Sequence, residues 1–134
     1  MEKDMFYVRI VGWIFDTKNR KLLIGKNHGD KNYSFLEGDL HQDEELDKCL
    51  KRIIFEKTGY KTHNLGAIYV ENKLANPTKL KVHFLCEVAK GKLTPGNNVA
   101  ELIWVEPKEI EKKLGVKLPS RLHEHLKNLQ GQKI

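Results

Sequence analysis

The chain is expected to fold as one α/β (α+β) domain, a mixed β-sheet held between helices, spanning residues 1–134. Three observations predict this. Strand-like and helix-like segments follow one another in the order strand, strand, helix, strands, helix, helix, which calls for a sheet with helices on both faces. The length of 134 residues, with 40% hydrophobic and 31% charged residues, suits a single soluble core without staples. The apolar runs are short, so no segment is long enough to cross a membrane.

The elements can be justified in turn. "FYVRIVGWIF", Phe6 to Phe15, is rich in β-branched and aromatic residues and predicts a strand. Asp16 to Arg20 is turn chemistry, and Lys21 to Gly25 returns as the second arm of a hairpin. A polar loop follows from Lys26 to Asn32, then a short apolar segment, Tyr33 to Leu36, before Glu37-Gly38-Asp39. Asp43 is a plausible N-cap with acids in the first turn behind it, and Gly59 supplies the stop of a helix running to about Lys57. At 100° per residue Leu46, Cys49, Leu50, Ile53 and Ile54 share one apolar arc. Glu44 with Lys48, and Arg52 with Glu56, are four apart and can pair on the helix surface.

Beyond the helix, Leu65 to Val70 and Leu80 to Val88 predict strands, and Ala89 to Asn98, with Gly91, Pro95 and Gly96, predicts a loop. "ELIWV", Glu101 to Val105, is a further strand. Pro107 opens a short helix over Lys108 to Lys113, and Pro119-Ser120 opens a last one through Leu129.

Several function classes drop out. Met1-Glu2-Lys3-Asp4 carries mixed charge with no apolar stretch behind it and is not read as a secretory signal. The two cysteines, Cys49 and Cys86, have no zinc-like spacing and are expected as buried free thiols, consistent with a cytoplasmic protein. His123 and His125 are two apart on a helix, so their rings diverge and make a poor metal pair. Ser34 and Ser120 lack a nucleophile's context. The net charge of +6 is spread over scattered lysines. It fits a solvated basic surface, phosphate-bearing ligands or a weak nucleic-acid contact.

Residues 38–60, "GDLHQDEELDKCLKRIIFEKTGY", resemble a Nudix box, the pattern G-x5-E-x7-R-E-U-x-E-E-x-G-U with U a bulky apolar residue. Gly38, Glu44, Arg52, Glu56 and Gly59 match, Ile54 fills the first U and Tyr60 loosely the second, while Ile53 and Lys57 stand where the pattern has carboxylates. "YSFLEGD" before the box and "ELIWVEPKEI" after it also resemble the family's flanks, so the resemblance covers about residues 6–130. It implies a Nudix-like α/β/α sandwich related to hydrolases of nucleoside diphosphates linked to another moiety, working with Mg²⁺ or Mn²⁺. The box carboxylates of that family share a hard cation, which clamps a diphosphate and helps activate water.

Carried onto this chain, the resemblance makes Glu56, Arg52 and Glu44 the candidate catalytic residues and Glu56 and Glu101 the candidate metal ligands. Lys57, Glu37, Gly38 and His28 are candidates for substrate binding. Substrate selection is expected from the loops Lys26 to Asn32 and Glu71 to Lys79. Lys57 swaps a negative for a positive charge, and one unit pair about 5 Å apart is worth roughly 3 kcal/mol at an effective dielectric near 20. Ile53 removes an oxygen ligand outright. The usual cluster is therefore not expected, although Glu56, Glu44 and Glu101 can be imagined as a relocated single-metal site. Two readings stay open: a weak or atypical hydrolase, and a catalytically inactive module that binds a nucleotide, RNA or protein partner. Lys57 itself reads either as an ammonium meeting phosphate directly or as a solvated lysine in the last helical turn. Glu37 and Asp39 otherwise read as solvated loop residues.

Overall fold

The first strand organises the whole sheet. In the computed structural model, which describes residues 6–75 and 77–131, β1 (Phe6–Asp16) runs parallel to β5 (Thr78–Gly91) from Phe6 to Ile14. On its other side β1 changes partner. Its C-terminal end forms the predicted hairpin with β2 (Lys21–Asn27), while Arg9 to Gly12 pair with β3 (Leu36–Asp39). The strand order is β4-β5-β1-β2-β6, with β4 at Tyr60–Lys73, β6 at Val99–Val105, and β3 beside β1. The sheet is mixed, as expected. The reading of residues 1–4 lies outside the described residues.

Two apolar layers enclose the sheet. Alternation along β1 sends Ile10 and Ile14 to one face, where they meet Leu50 and Ile54 of helix α1 (Leu46–Thr58). Val11, Trp13 and Phe15 go to the other face. There they pack on Ile110 and Leu114 of α2 (Ile110–Leu114) and on Leu122 and Leu126 of α3 (Ser120–Gln130). A single 3-10 turn, Pro107–Glu109, leads into α2. Each such side chain, fully buried, contributes about 1.5–3 kcal/mol relative to exposure. Among the described residues no helix is long and apolar enough to cross a membrane. Cys49 and Cys86 are free and buried.

Three boundaries differ from the sequence reading. Helix α1 begins at Leu46 rather than near Asp43, with Glu45 as N-cap and no side-chain cap bond. Asp43 cannot cap it, because its φ of 67° is left-handed whereas an N-cap residue is extended. Leu46 is 44% exposed, so the buried arc starts at Cys49 and continues through Thr58. The expected Glu44–Lys48 pair is replaced by Lys51–Asp47, because Glu44 lies outside the helix. Strand β4 starts at Tyr60, not Leu65, through polar Lys61 to Asn64, because β5 pairs with it as far as Gly91. Residues 71–73 and 78–79 of the first expected loop and 89–91 of the second are therefore strand.

The C-terminal end of α1 is closed by the segment after β5. Gly59 takes a left-handed φ of 76° and donates to the Phe55 carbonyl. Two more helix carbonyls are satisfied from 92–98: Thr94 N–H donates to Thr58 O at 2.8 Å and Gly96 N–H to Lys57 O at 3.0 Å. A Cβ at Gly96 would overlap the Glu56 carbonyl, so only glycine allows this approach.

Candidate functional site

Arg52 joins three parts of the box. Its Nε donates to Glu44 Oε2 at 2.7 Å and its Nη2 to Glu44 Oε1 at 3.0 Å, a bidentate pair. Nη2 also donates to the Asp39 carbonyl at 3.1 Å, and Nη1 reaches Glu56 at 3.4 Å. The hydrogen bonds from Arg52 hold the Glu44 carboxyl down at about 2, against the opposing effect of burial. Glu44 in turn raises the Arg52 guanidinium further above its ordinary value. Two of the three candidate catalytic residues, Arg52 and Glu44, thus form a clamp that fastens the helix to β3 and to the loop before it.

Ile53 faces the core. It is 3% exposed, and a Cβ on Gly38 would come within 2.9 Å of its side chain. Gly38, a candidate for substrate binding, provides the space into which Ile53 packs. The side chain of His28, another such candidate, is exposed, and its backbone N–H donates to Asn98 O.

Lys57 has a different setting. Where β2 leaves β1 and β3 takes its place, a cavity of about 310 Å³ opens, and Lys57 lines it together with Arg9, Lys26, Lys81 and Glu37. Four cations thus surround one carboxylate. Glu37 accepts from Arg9 Nε at 2.9 Å and lies 3.4 Å from Lys81 Nζ. Arg9 also donates to Asp39 Oδ1 at 2.7 Å. Burial works to lower the Arg9 pKa, but Glu37 and Asp39 outweigh it and raise it. Glu37 and Asp39 are strand rather than loop residues: both sit on β3 and pair with Arg9, Glu37 partly buried and Asp39 exposed. Lys26 lies 4.7 Å over the Tyr33 ring and 3.8 Å from Glu101. Lys57 has no ion-pair partner among the described residues.

The carboxylates do not converge. Glu44 is committed to Arg52, and Glu101 accepts from the Tyr33 hydroxyl at 3.0 Å. Glu56 is exposed. Among the described residues no group of three His, Cys, Asp or Glu side chains is placed to hold a metal ion. The donors present do not fit a divalent cation, and the imagined site of Glu56, Glu44 and Glu101 is not assembled.

Arg9 and Lys81 were missed from the sequence. Arg9 is the one charged residue inside the apolar run of β1, which was the available signal. Its neighbour Lys81 could not be found locally, because the two are brought side by side by the parallel pairing of β1 with β5.

A mixed sheet between helices, with an Arg–Glu clamped loop–helix–loop beside a cationic cavity, defines the class as α+β. The NUDIX domain profile matches residues 5–126, and the chain belongs to that family. The family generally uses divalent cations. Solved structures agree on the fold. A NUDIX hydrolase from Nitrosomonas europaea aligns with a TM-score of 0.74 at 16% identity, over 93% of this chain and 88% of that one. An ADP-ribose pyrophosphatase from Streptococcus suis aligns with a TM-score of 0.72 at 16% identity, over 95% and 94%. A UDP-X diphosphatase aligns with a TM-score of 0.74 at 16% identity, over 97% of this chain but only 63% of that one. No curated protein sequence matches the chain significantly.

Proposed function

We propose that this chain is a Nudix-fold module that binds a nucleoside diphosphate compound through fixed cations, with hydrolysis weak or absent. The observation that carries this reading is Lys57, half-buried and without an ion-pair partner among the described residues, lining the same cavity as Arg9, Lys26 and Lys81. A diphosphate brings two or three negative charges; Lys57 meets them without a competing carboxylate, while Arg9 is shared with Glu37 and Asp39, Lys81 with Glu37 and Lys26 with Glu101. Arg9, oriented by Glu37 and Asp39, offers a planar donor set; the lysines act as point charges around it. Lys57 also offsets the negative end of α1, which would otherwise repel phosphate. The neighbours suggest the ligand class, since one is named for ADP-ribose and another for UDP-linked compounds.

Slow hydrolysis is the second reading. It is favoured by Glu56, an exposed carboxylate whose partner Arg52 is no closer than 3.4 Å.

Calorimetry in EDTA tests the proposal, with ADP-ribose and UDP-glucose as probes. Binding is expected without metal, and Lys57→Glu should weaken it at least about tenfold, given roughly 3 kcal/mol per unit pair at 5 Å. Mg²⁺ or Mn²⁺ titrated alone should give no tight stoichiometric binding. A ligand that binds only when Mg²⁺ is present would overturn the metal-independent reading.

A further inference from the structure

Helix α1 carries a second functional face, away from the cavity. Lys48, Lys51, Arg52 and Phe55 follow at spacings of three and four and form one stripe outside the buried arc. Opposite the stripe lie Lys61, Thr62 and His63 of β4, and between them runs a groove of about 490 Å³. Phe55 leaves 52% of its surface exposed along this groove. Thr62 is 95% buried, and its Oγ1 is the one buried side-chain polar atom without a hydrogen-bond partner among the described residues.

The cations here are unevenly committed. Arg52 belongs to the Glu44 clamp, and Lys51 lies 3.1 Å from Asp47. Lys48 and Lys61 have no ion-pair partner among the described residues. The groove therefore combines a half-exposed aromatic ring with free ammonium groups.

We propose that this groove binds single-stranded nucleic acid, one base lying against Phe55 and the flanking phosphates meeting Lys48 and Lys61. An aromatic ring and regularly placed cations match a ligand that alternates flat bases with phosphates. A simple anion would leave the Phe55 ring without a role, and an apolar ligand would leave the lysines without one. The net charge of +6 favours approach of such a polyanion. The proposal stands apart from the diphosphate cavity, since of these residues none lines it.

The test is fluorescence anisotropy of a labelled oligouridylate about eight nucleotides long, with the full chain in EDTA, at about 50 and 200 mM salt. The wild type should bind and weaken steeply with salt. Phe55→Ala should weaken binding about tenfold at both salts, the size expected for losing one base–aromatic stack, and Phe55→Trp should retain it. Lys48→Glu with Lys61→Glu should weaken binding and flatten its salt dependence. No measurable binding by the wild type, or equal binding by Phe55→Ala, overturns the proposal. Loss on Lys57→Ala with none on Phe55→Ala would place the oligonucleotide in the cavity and also overturn it. So would competition by uridine monophosphate as strong as by the oligonucleotide, which marks a mononucleotide site. Equal competition by a polyglutamate peptide would mark an acidic protein partner instead.

Discussion

The two ends of helix α1 treat the family motif differently. Before its N-terminus, Glu44 keeps its place and is held by Arg52 through two hydrogen bonds, which fasten the helix to β3 and the preceding loop. In its C-terminal half, Ile53 has turned inward under Gly38 and Lys57 lines a cavity with three other cations. The difference teaches that the motif has two separable parts. Gly38, Glu44, Arg52 and Gly59 do folding work that any ligand chemistry would need: a close packing contact, a clamp and a left-handed helix stop. At positions 53 and 57, where the box pattern has carboxylates, this chain has a packed isoleucine and a lysine lining the cavity.

The largest expected effect breaks the comparison at position 53. Ile53→Glu should destabilise the protein by about 3–5 kcal/mol, since it buries a carboxylate in an apolar site and loses a packed side chain. A urea unfolding midpoint unchanged from the parent would mean that the carboxylate escapes toward the cavity. In that case Ile53→Glu with Lys57→Glu is also the variant in which diphosphate hydrolysis should rise.

A smaller effect sharpens the other side, the clamp. Glu44 has a folded-state pKa of about 2, below its ordinary 4.5. A depressed carboxylate stabilises the fold fully above its ordinary value, and that stabilisation is lost as pH falls from about 4.5 through about 2. Glu44→Gln should therefore be less stable at neutral pH and should show a flatter loss of stability over that acid range. Denaturant titrations of both proteins at several pH values measure it. Parallel curves would show that Arg52 is held by other partners.

The smallest effect concerns the thiols behind the helix. Burial pushes Cys49 up to about 11 and Cys86 up to about 12. At pH 8 the thiolate fraction is then about one in a thousand or less, and iodoacetamide should label neither in the native protein. Fast labelling of Cys49 alone would show that the N-terminal half of α1 opens more readily than its clamp suggests.

Legibility followed the range of the interactions. The β1–β2 hairpin was readable because turn residues lie between two apolar runs, and α1 because its apolar period is local. The start of α1 was not, because three consecutive acids imitate a first turn while Glu44 is drawn off by Arg52, eight residues later. The start of β4 was not, because Lys61 to Asn64 look like loop and become strand only on pairing with β5. At the site, Lys57 and Glu37 were readable as departures from a known spacing. Arg9 and Lys81 were not, since no local pattern places two strands more than sixty residues apart side by side.

By itself, the sequence determined the family, the mixed sheet between helices, and the presence of Ile53 and Lys57 where the box pattern has carboxylates. Those rest on residue identity and short-range period, which one strand or one helix displays alone. The tertiary structure decided that Ile53 is core, that Arg52 and Glu44 form a clamp, and that Lys57 shares a cavity with Arg9, Lys26 and Lys81. The physical reason is that charge acts through space: four cations line one cavity only when a parallel strand pair, the point where β3 replaces β2 beside β1, and a helix end bring them around the same volume.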